Sequence, residues 1–216
     1  MSSYEQFLRE IPTSRGVIVI DTSVASAYYA VDLAPYSNNV GISAAGHTSR
    51  GAFNVWGNSF PAEHLPESGA PVSVGGVPFR FPRVGVGDDN VRCDGQFVAV
   101  EEGRFDWLHL LTASERRAED VVEMHFADGS VDPEWLRVSD FWAAPAWFGE
   151  TTAFATPVMH YPHHVQRGVS AMLWSQRVPV TRRADLSGFR LPRNAAVHVF
   201  AATLQQTAVP EAGHDQ

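Results

Sequence analysis

The chain has 216 residues and a mass of 23.7 kDa, enough for one core that removes roughly 70% of the open chain's surface from water. A single cysteine, Cys93, excludes an intrachain disulfide and any multi-cysteine metal centre. Twenty-four acidic against sixteen basic residues give a net charge of −8, which disfavours nucleic acid and anionic membranes as partners; every cation is Arg, so no amine is present for Schiff-base or Walker-A chemistry.

In chain order, residues 1–20 read as an N-terminal extension with weak helical spacing at Tyr4, Phe7, Leu8 and Ile11. They lack the basic start and apolar run of a secretory signal, and no apolar run approaches the ~20 residues of a membrane span, so a cytoplasmic protein is expected. Strand-like apolar segments rich in Val, Phe, Trp and Thr then follow at 17–21, 26–31, 52–56, 72–81, 91–100, 107–111, 121–126, 135–141, 152–160, 169–180 and 196–203. Turn chemistry separates them, at Gly75-Gly76, Asp94-Gly95, Asp128-Gly129 and Gly188 among others. The segment 120–129 alternates, with Val122, Met124 and Phe126 on one face and Val121, Glu123 and His125 on the other, and the Met/Phe face is the predicted core side. Residues 114–118 have room for one helical turn, and 207–216 read as a flexible tail. Many short strands without alternating helices predict an all-β fold, an antiparallel β-sandwich of the jelly-roll type, over residues 21–206.

Several short motifs carry a resemblance. Asp32-Leu-Ala-Pro-Tyr36 with Asn39-Val-Gly-Ile42, Ser59-Phe-Pro61 with Glu63, Gly76-Val-Pro-Phe79 with Phe81-Pro82, and Asp89-Asn-Val91 with Gly95-Gln96 come first. Phe105-Asp-Trp107, Asp128-Gly129, Val138-Ser-Asp140-Phe-Trp142 and His198-Val-Phe-Ala201 continue the series in order. Together they resemble a galactose-binding-like jelly-roll module of bacterial carbohydrate-active proteins, of the kind appended to glycoside hydrolases. The resemblance spans about residues 30–203. It implies glycan association more than catalysis, and in some members a structural calcium; Asp88-Asp89-Asn90 and Asp32 with Asn38-Asn39 have the oxygen chemistry for that ion. No other cofactor is implied.

Local chemistry concentrates in His160-Tyr161-Pro162-His163-His164, three imidazoles in five residues. Imidazoles bind metal, move protons near neutral pH, or hydrogen-bond hydroxyls. A metal would need a further ligand such as His47, His125 or His198, and the spacing matches no standard metal motif. The plainer alternative is a solvated loop with incidental histidines. Of the six tryptophans, Trp107, Trp135 and Trp174 fall inside strand patterns and are expected in the core, whereas Trp142 and Trp147 lie in an aromatic connection that is expected to line a pocket or fold over the sandwich. Asp88, Asp89, Glu123, Asp140 and Glu150 are the acidic candidates, with Asp140 placed best, at a strand end.

Two functions follow as expectations. In the first, the chain is a stand-alone binding module for a saccharide or glycosylated small molecule, with Trp142 and Trp147 stacking on the ligand and His160, His164 and Arg167 reading its polar groups. In the second, it is a small enzyme of specialised metabolism performing acid/base cyclisation, elimination or glycosidic cleavage with His160 and His164 oriented by Asp140. A separately encoded hydrolase or a second copy of the chain is a further possible partner.

Overall fold

The computed structural model describes residues 27–207. Its strands are β1 (Tyr28–Val31), β2 (Ile42–Ser43), β3 (Phe60–Pro61), β4 (Pro71–Val74), β5 (Val77–Arg80), β6 (Val91–Arg92), β7 (Phe97–Gly103), β8 (Phe105–Ser114), β9 (Ala118–Phe126), β10 (Val131–Val138), β11 (Thr151–Tyr161), β12 (His164–Pro179), β13 (Leu186–Arg190) and β14 (Val197–Gln206). Short 3₁₀ turns at Ala34–Tyr36, Ala45–Arg50 and Ala62–His64 are the helical elements among the described residues, none of them long and apolar enough to cross a membrane. The strand-like segment 17–21, the helical spacing at 4–11, the extension 1–20 and all of the expected tail but residue 207 lie outside the described residues.

The strands form two main layers. One sheet runs β1-β14-β8-β12-β11, with β6 also on β14; the other runs β10-β9-β13-β7, and all pairings within both are antiparallel. Leaving β2 to β6 and the β11 edge aside, the chain changes layer at every step but the β9–β10 hairpin, in the interleaved order of two Greek keys, which is the jelly roll the strand rhythm predicted. Val122, Met124 and Phe126 all face the interior, as their alternation required.

The two sheets differ in how they are covered. The β10-β9-β13-β7 sheet has one wet face, and its strands alternate. The β14 and β8 strands are buried along nearly their whole lengths because the other sheet is covered twice. On its inner side Leu108, Leu110, Val199 and Leu204 join Met124, Phe126 and Phe189 of the opposite sheet. On its outer side Leu111, Ala113, Leu173, Phe200 and Ala201 meet a third layer made by β2, β3, the β4–β5 hairpin and the loops around Phe53 and Phe141. Phe53, Phe60 and Phe141 form an edge-to-face nest there, with ring centroids 5.0 to 6.2 Å apart.

Several expectations are corrected. Residues 52–56 are loop, not strand: Asn54 accepts the Trp56 amide through its side chain and the Gly57 amide through its backbone, and Gly57 takes φ +65°. Residues 72–81 are a hairpin whose turn uses the positive φ of Gly75 and Gly76, and 91–100 splits into β6 and β7 at Gly95. Residues 114–118 turn the chain from β8 into β9 without a helix. Trp135 is 62% exposed, since Leu136 and Val138 take the inward positions of β10 and period two sends Trp135 outward under the Arg137 guanidinium, 5.3 Å from its ring centroid. Trp107 is half-buried beneath Arg177, and Trp174 is in the core as expected.

Candidate functional site

A cleft of about 490 Å³ opens where the third layer meets the sandwich. One wall is the chain leaving β1, from Val31 to Ala34; the opposite wall is the end of β5 and the residues after it, Arg80 to Arg83; Asp88, Asp89 and the β14 residues Phe200 and Ala201 lie at its base. Asp89 is buried. Its Oδ1 accepts hydrogen bonds from the Gly41 amide (2.8 Å) and Asn90 Nδ2 (3.0 Å), and its Oδ2 accepts one from the Ile42 amide (3.1 Å). Those bonds favour the carboxylate, but loss of water outweighs them and, with Asp88 next to it, pushes the Asp89 carboxyl up to about 6.

The network continues inward. Asn90 Nδ2 also donates to Asn39, and Asn90 Oδ1 lies 2.8 Å from His198 Nδ1. Because that oxygen only accepts, His198 carries its hydrogen on Nδ1. Burial drives the His198 imidazole below its ordinary range. Gly41 is required here, since a Cβ at that position would sit 2.6 Å from Asn90 Nδ2 and 2.9 Å from the Phe200 ring. Asn38 exchanges two hydrogen bonds with the Arg92 backbone, Asn39 donates to the Ala52 carbonyl, and Asp32 accepts the Ala34 amide. Of the groups with calcium-like chemistry, Asp32, Asn38, Asn39, Asp89 and Asn90 are engaged in fixing loops, and no cluster of three or more His, Cys, Asp or Glu side chains is arranged for a metal ion among the described residues.

On the far side of β2 lies a second polar knot. His160 is 1% exposed; its Nε2 is 3.2 Å from Glu63 Oε1 and its Nδ1 is 2.9 Å from Ser43 Oγ, which in turn is 2.7 Å from Ser59 Oγ. Carboxylate, imidazole and hydroxyl in sequence are the components of nucleophilic catalysis. Here the imidazole and hydroxyls are buried, while the Glu63 side chain is 42% exposed. Ser43 and Ser59 are buried, Ser59 exchanges backbone hydrogen bonds with His160, and the Gly51 backbone packs so closely that a Cβ on it would reach within 2.5 Å of Ser59 Oγ. The chain of groups ties β2, β3 and β11 together. Sequence reasoning found His160 but not Glu63, Ser43 or Ser59, which lie about a hundred residues earlier.

The other expected site residues are dispersed. His164 is exposed and stacks on Tyr161 across the tight β11–β12 turn, with centroids 4.7 Å apart and planes 10° from parallel; Arg167 is exposed on the same arm. Asp140 does not orient either histidine: its Oδ1 accepts the Trp142 amide at 2.7 Å, and its carbonyl accepts Trp174 Nε1. Burial raises its carboxyl above the usual range. Trp142 packs on Phe141, and Trp147 is 64% exposed with the Arg117 guanidinium 5.6 Å away. Glu150 is the centre of that loop, accepting from the Ser139 amide and hydroxyl and the Phe148 amide. The loop enters β11 at Thr151 and the histidine turn leaves it after Tyr161, ten residues on, or up to about 33 Å along an extended strand. The indoles of Trp142 and Trp147 and the histidine turn therefore belong to different ends of β11. The backbone at Gly57 packs against Pro162 of the turn, next in sequence to Trp56, which is 70% exposed.

Cys93 is buried beside β6, and burial pushes its thiol far above the range of a nucleophile. The model of the AziU2-like beta-sandwich domain family matches residues 26–208. The chain belongs to that family. No curated protein matches it.

Proposed function

We propose that this chain is a binding domain without a reaction of its own, and that it holds a saccharide or glycosylated small molecule in the cleft based on Asp89. The observation that carries this reading is the cleft. Its volume of about 490 Å³ falls within the roughly 300–1,000 Å³ of small-molecule sites, and it combines a Phe/Pro/Val lining with carboxylates and guanidinium groups able to pair with hydroxyls. The jelly-roll strand order is compatible with a galactose-binding-like relationship. The enzyme alternative draws no support from the distances, because Asp140, His160 and His164 do not meet and the Ser43 hydroxyl and His160 ring are buried.

The test is calorimetric titration of the chain with D-galactose and D-galacturonate. Binding is expected, to be lost in Ala34→Trp, which fills the cleft from its rim, and to survive in the double variant Trp142→Ala/Trp147→Ala. Binding that persists in the first and vanishes in the second would remove the cleft from the account.

A further inference from the structure

Resting on that reading, we propose that the ligand is an acid: the cleft binds a hydroxylated carboxylate, of which a uronic acid is the simplest saccharide form, with its carboxylate on Arg80 and Arg83. Arg80 and Arg83, both exposed, are the arginines that line the cleft among the described residues. Among the described residues neither lies within ion-pair distance of a carboxylate, over an aromatic ring, or in a side-chain hydrogen bond, although Asp32 and Asp88 line the same cleft. Five other arginines, Arg92, Arg104, Arg137, Arg182 and Arg190, meet carboxylates, and Arg117 and Arg177 lie over indole rings. Asp32, Asp88 and Asp89 line the same cleft, so recognition of an anion there rests on the forks of Arg80 and Arg83 themselves and not on a positive field over the whole cleft.

The wall that carries them is held by its backbone. The Gly69 amide donates to the Pro82 carbonyl (3.0 Å), the Phe81 amide to the Ala70 carbonyl (2.9 Å) and the Val84 amide to Ser68 Oγ (2.8 Å). Gly69 also makes room for Arg83. It takes φ +74°, and a Cβ there would come to 3.3 Å from Arg83 Cγ, so the arginine stem lies against bare backbone. A rigid basic wall loses little freedom when an oxyanion docks, and the planar fork of Arg matches the two oxygens of a carboxylate. Asp32 on the facing wall and Asp88 at the base offer only acceptors, which suit the hydroxyls of the same ligand. A neutral sugar would use one wall; a hydroxy acid uses both.

The probes are D-galacturonate, D-galactose and D-galactose 6-phosphate, titrated calorimetrically at about 20 and 200 mM salt. Galacturonate is expected to bind about tenfold or more tighter than galactose at low salt, the scale of one charge-assisted hydrogen-bonded pair, with the margin shrinking at high salt. The double variant Arg80→Gln/Arg83→Gln is expected to erase the margin, bringing galacturonate down to the affinity of galactose, with the thermal midpoint unchanged. Equal affinity for the acid and the neutral sugar would overturn the acid assignment and leave the binding reading standing. Tighter binding of the phosphate would overturn the carboxylate as the ligand's anion. Loss of all three would overturn the binding reading itself, and this inference with it.

Discussion

Asp89 gives the sharpest quantitative expectation. Its folded-state carboxyl is raised from 3.8 to about 6, so the native state holds a proton more tightly than the unfolded chain does. For a group shifted in that direction, the stabilising contribution is complete below the unfolded value and is lost as pH rises through the folded one. Between pH 7 and pH 5, one unit below the raised value, the native state gains about 1.3 kcal/mol from this group alone at 1.36 kcal/mol per unit. Other carboxylates pull the other way, so the quantity to measure is a difference between two proteins.

Asp89→Asn supplies the reference. An asparagine keeps one acceptor oxygen and turns an NH₂ toward an amide that needs an acceptor, which costs about 1–3 kcal/mol. Removing the buried charge recovers at pH 7 up to about 3 kcal/mol of the shift, so the two proteins should differ little there. At pH 5 the wild type regains its proton, and the variant should be relatively worse by about 1.3 kcal/mol. Urea unfolding followed by tryptophan fluorescence at half-unit intervals from pH 4.5 to 7.5 reads this directly. A difference that is flat with pH, or that grows as pH rises, would refute the view that desolvation outweighs the three hydrogen bonds on Asp89.

Two further outcomes test the surroundings. Gly41→Ala places a methyl 2.6 Å from Asn90 Nδ2 and 2.9 Å from Phe200, and should lower unfolding free energy by about 1–3 kcal/mol in the same assay; an unperturbed midpoint would mean the third layer yields freely. His160→Ala removes a buried ring bonded to Ser43 and Glu63 and should cost about 2–4 kcal/mol, whereas Glu63→Gln, at a side chain 42% exposed, should cost less than about 1 kcal/mol. The opposite ranking of those two variants would make the strut electrostatic and not structural.

How much of this was legible in the chain depends on how local each feature is. The β9 alternation of Val122, Met124 and Phe126 is a period-two signal completed within five residues, and it placed the core face correctly. The same period in β10 would have put Trp135 outside, because Leu136 and Val138 claim the inner positions; reading indoles as core by residue type hid that. β8 and β14 carry no alternation since both of their faces are covered, and nothing in a sequence says which loop will supply a second cover. Three imidazoles in five residues are conspicuous, yet β11 and its turn send His160 inward and leave His164 in water. Glu63 and Ser43 reach His160 only through long-range packing, so their partnership leaves no local trace.

Polar side chains in this domain mostly do the work of a missing sheet. β2 has only two residues paired with β3, too short a ladder to fix its own position. Side chains fix it: Asp89 receives the Gly41 and Ile42 amides from one direction, and His160 meets Ser43 from the other. Three consecutive residues, Gly41 to Ser43, thereby join the base of the cleft to the buried strut. The groups with the most catalytic appearance, an aspartate raised to about 6 and a Glu–His–Ser chain, thus hold the backbone around β2 in place. Arg80 and Arg83 have no such duty. They stand on a wall the scaffold already holds still, and a rigid frame beneath unengaged charges is the arrangement that binding requires.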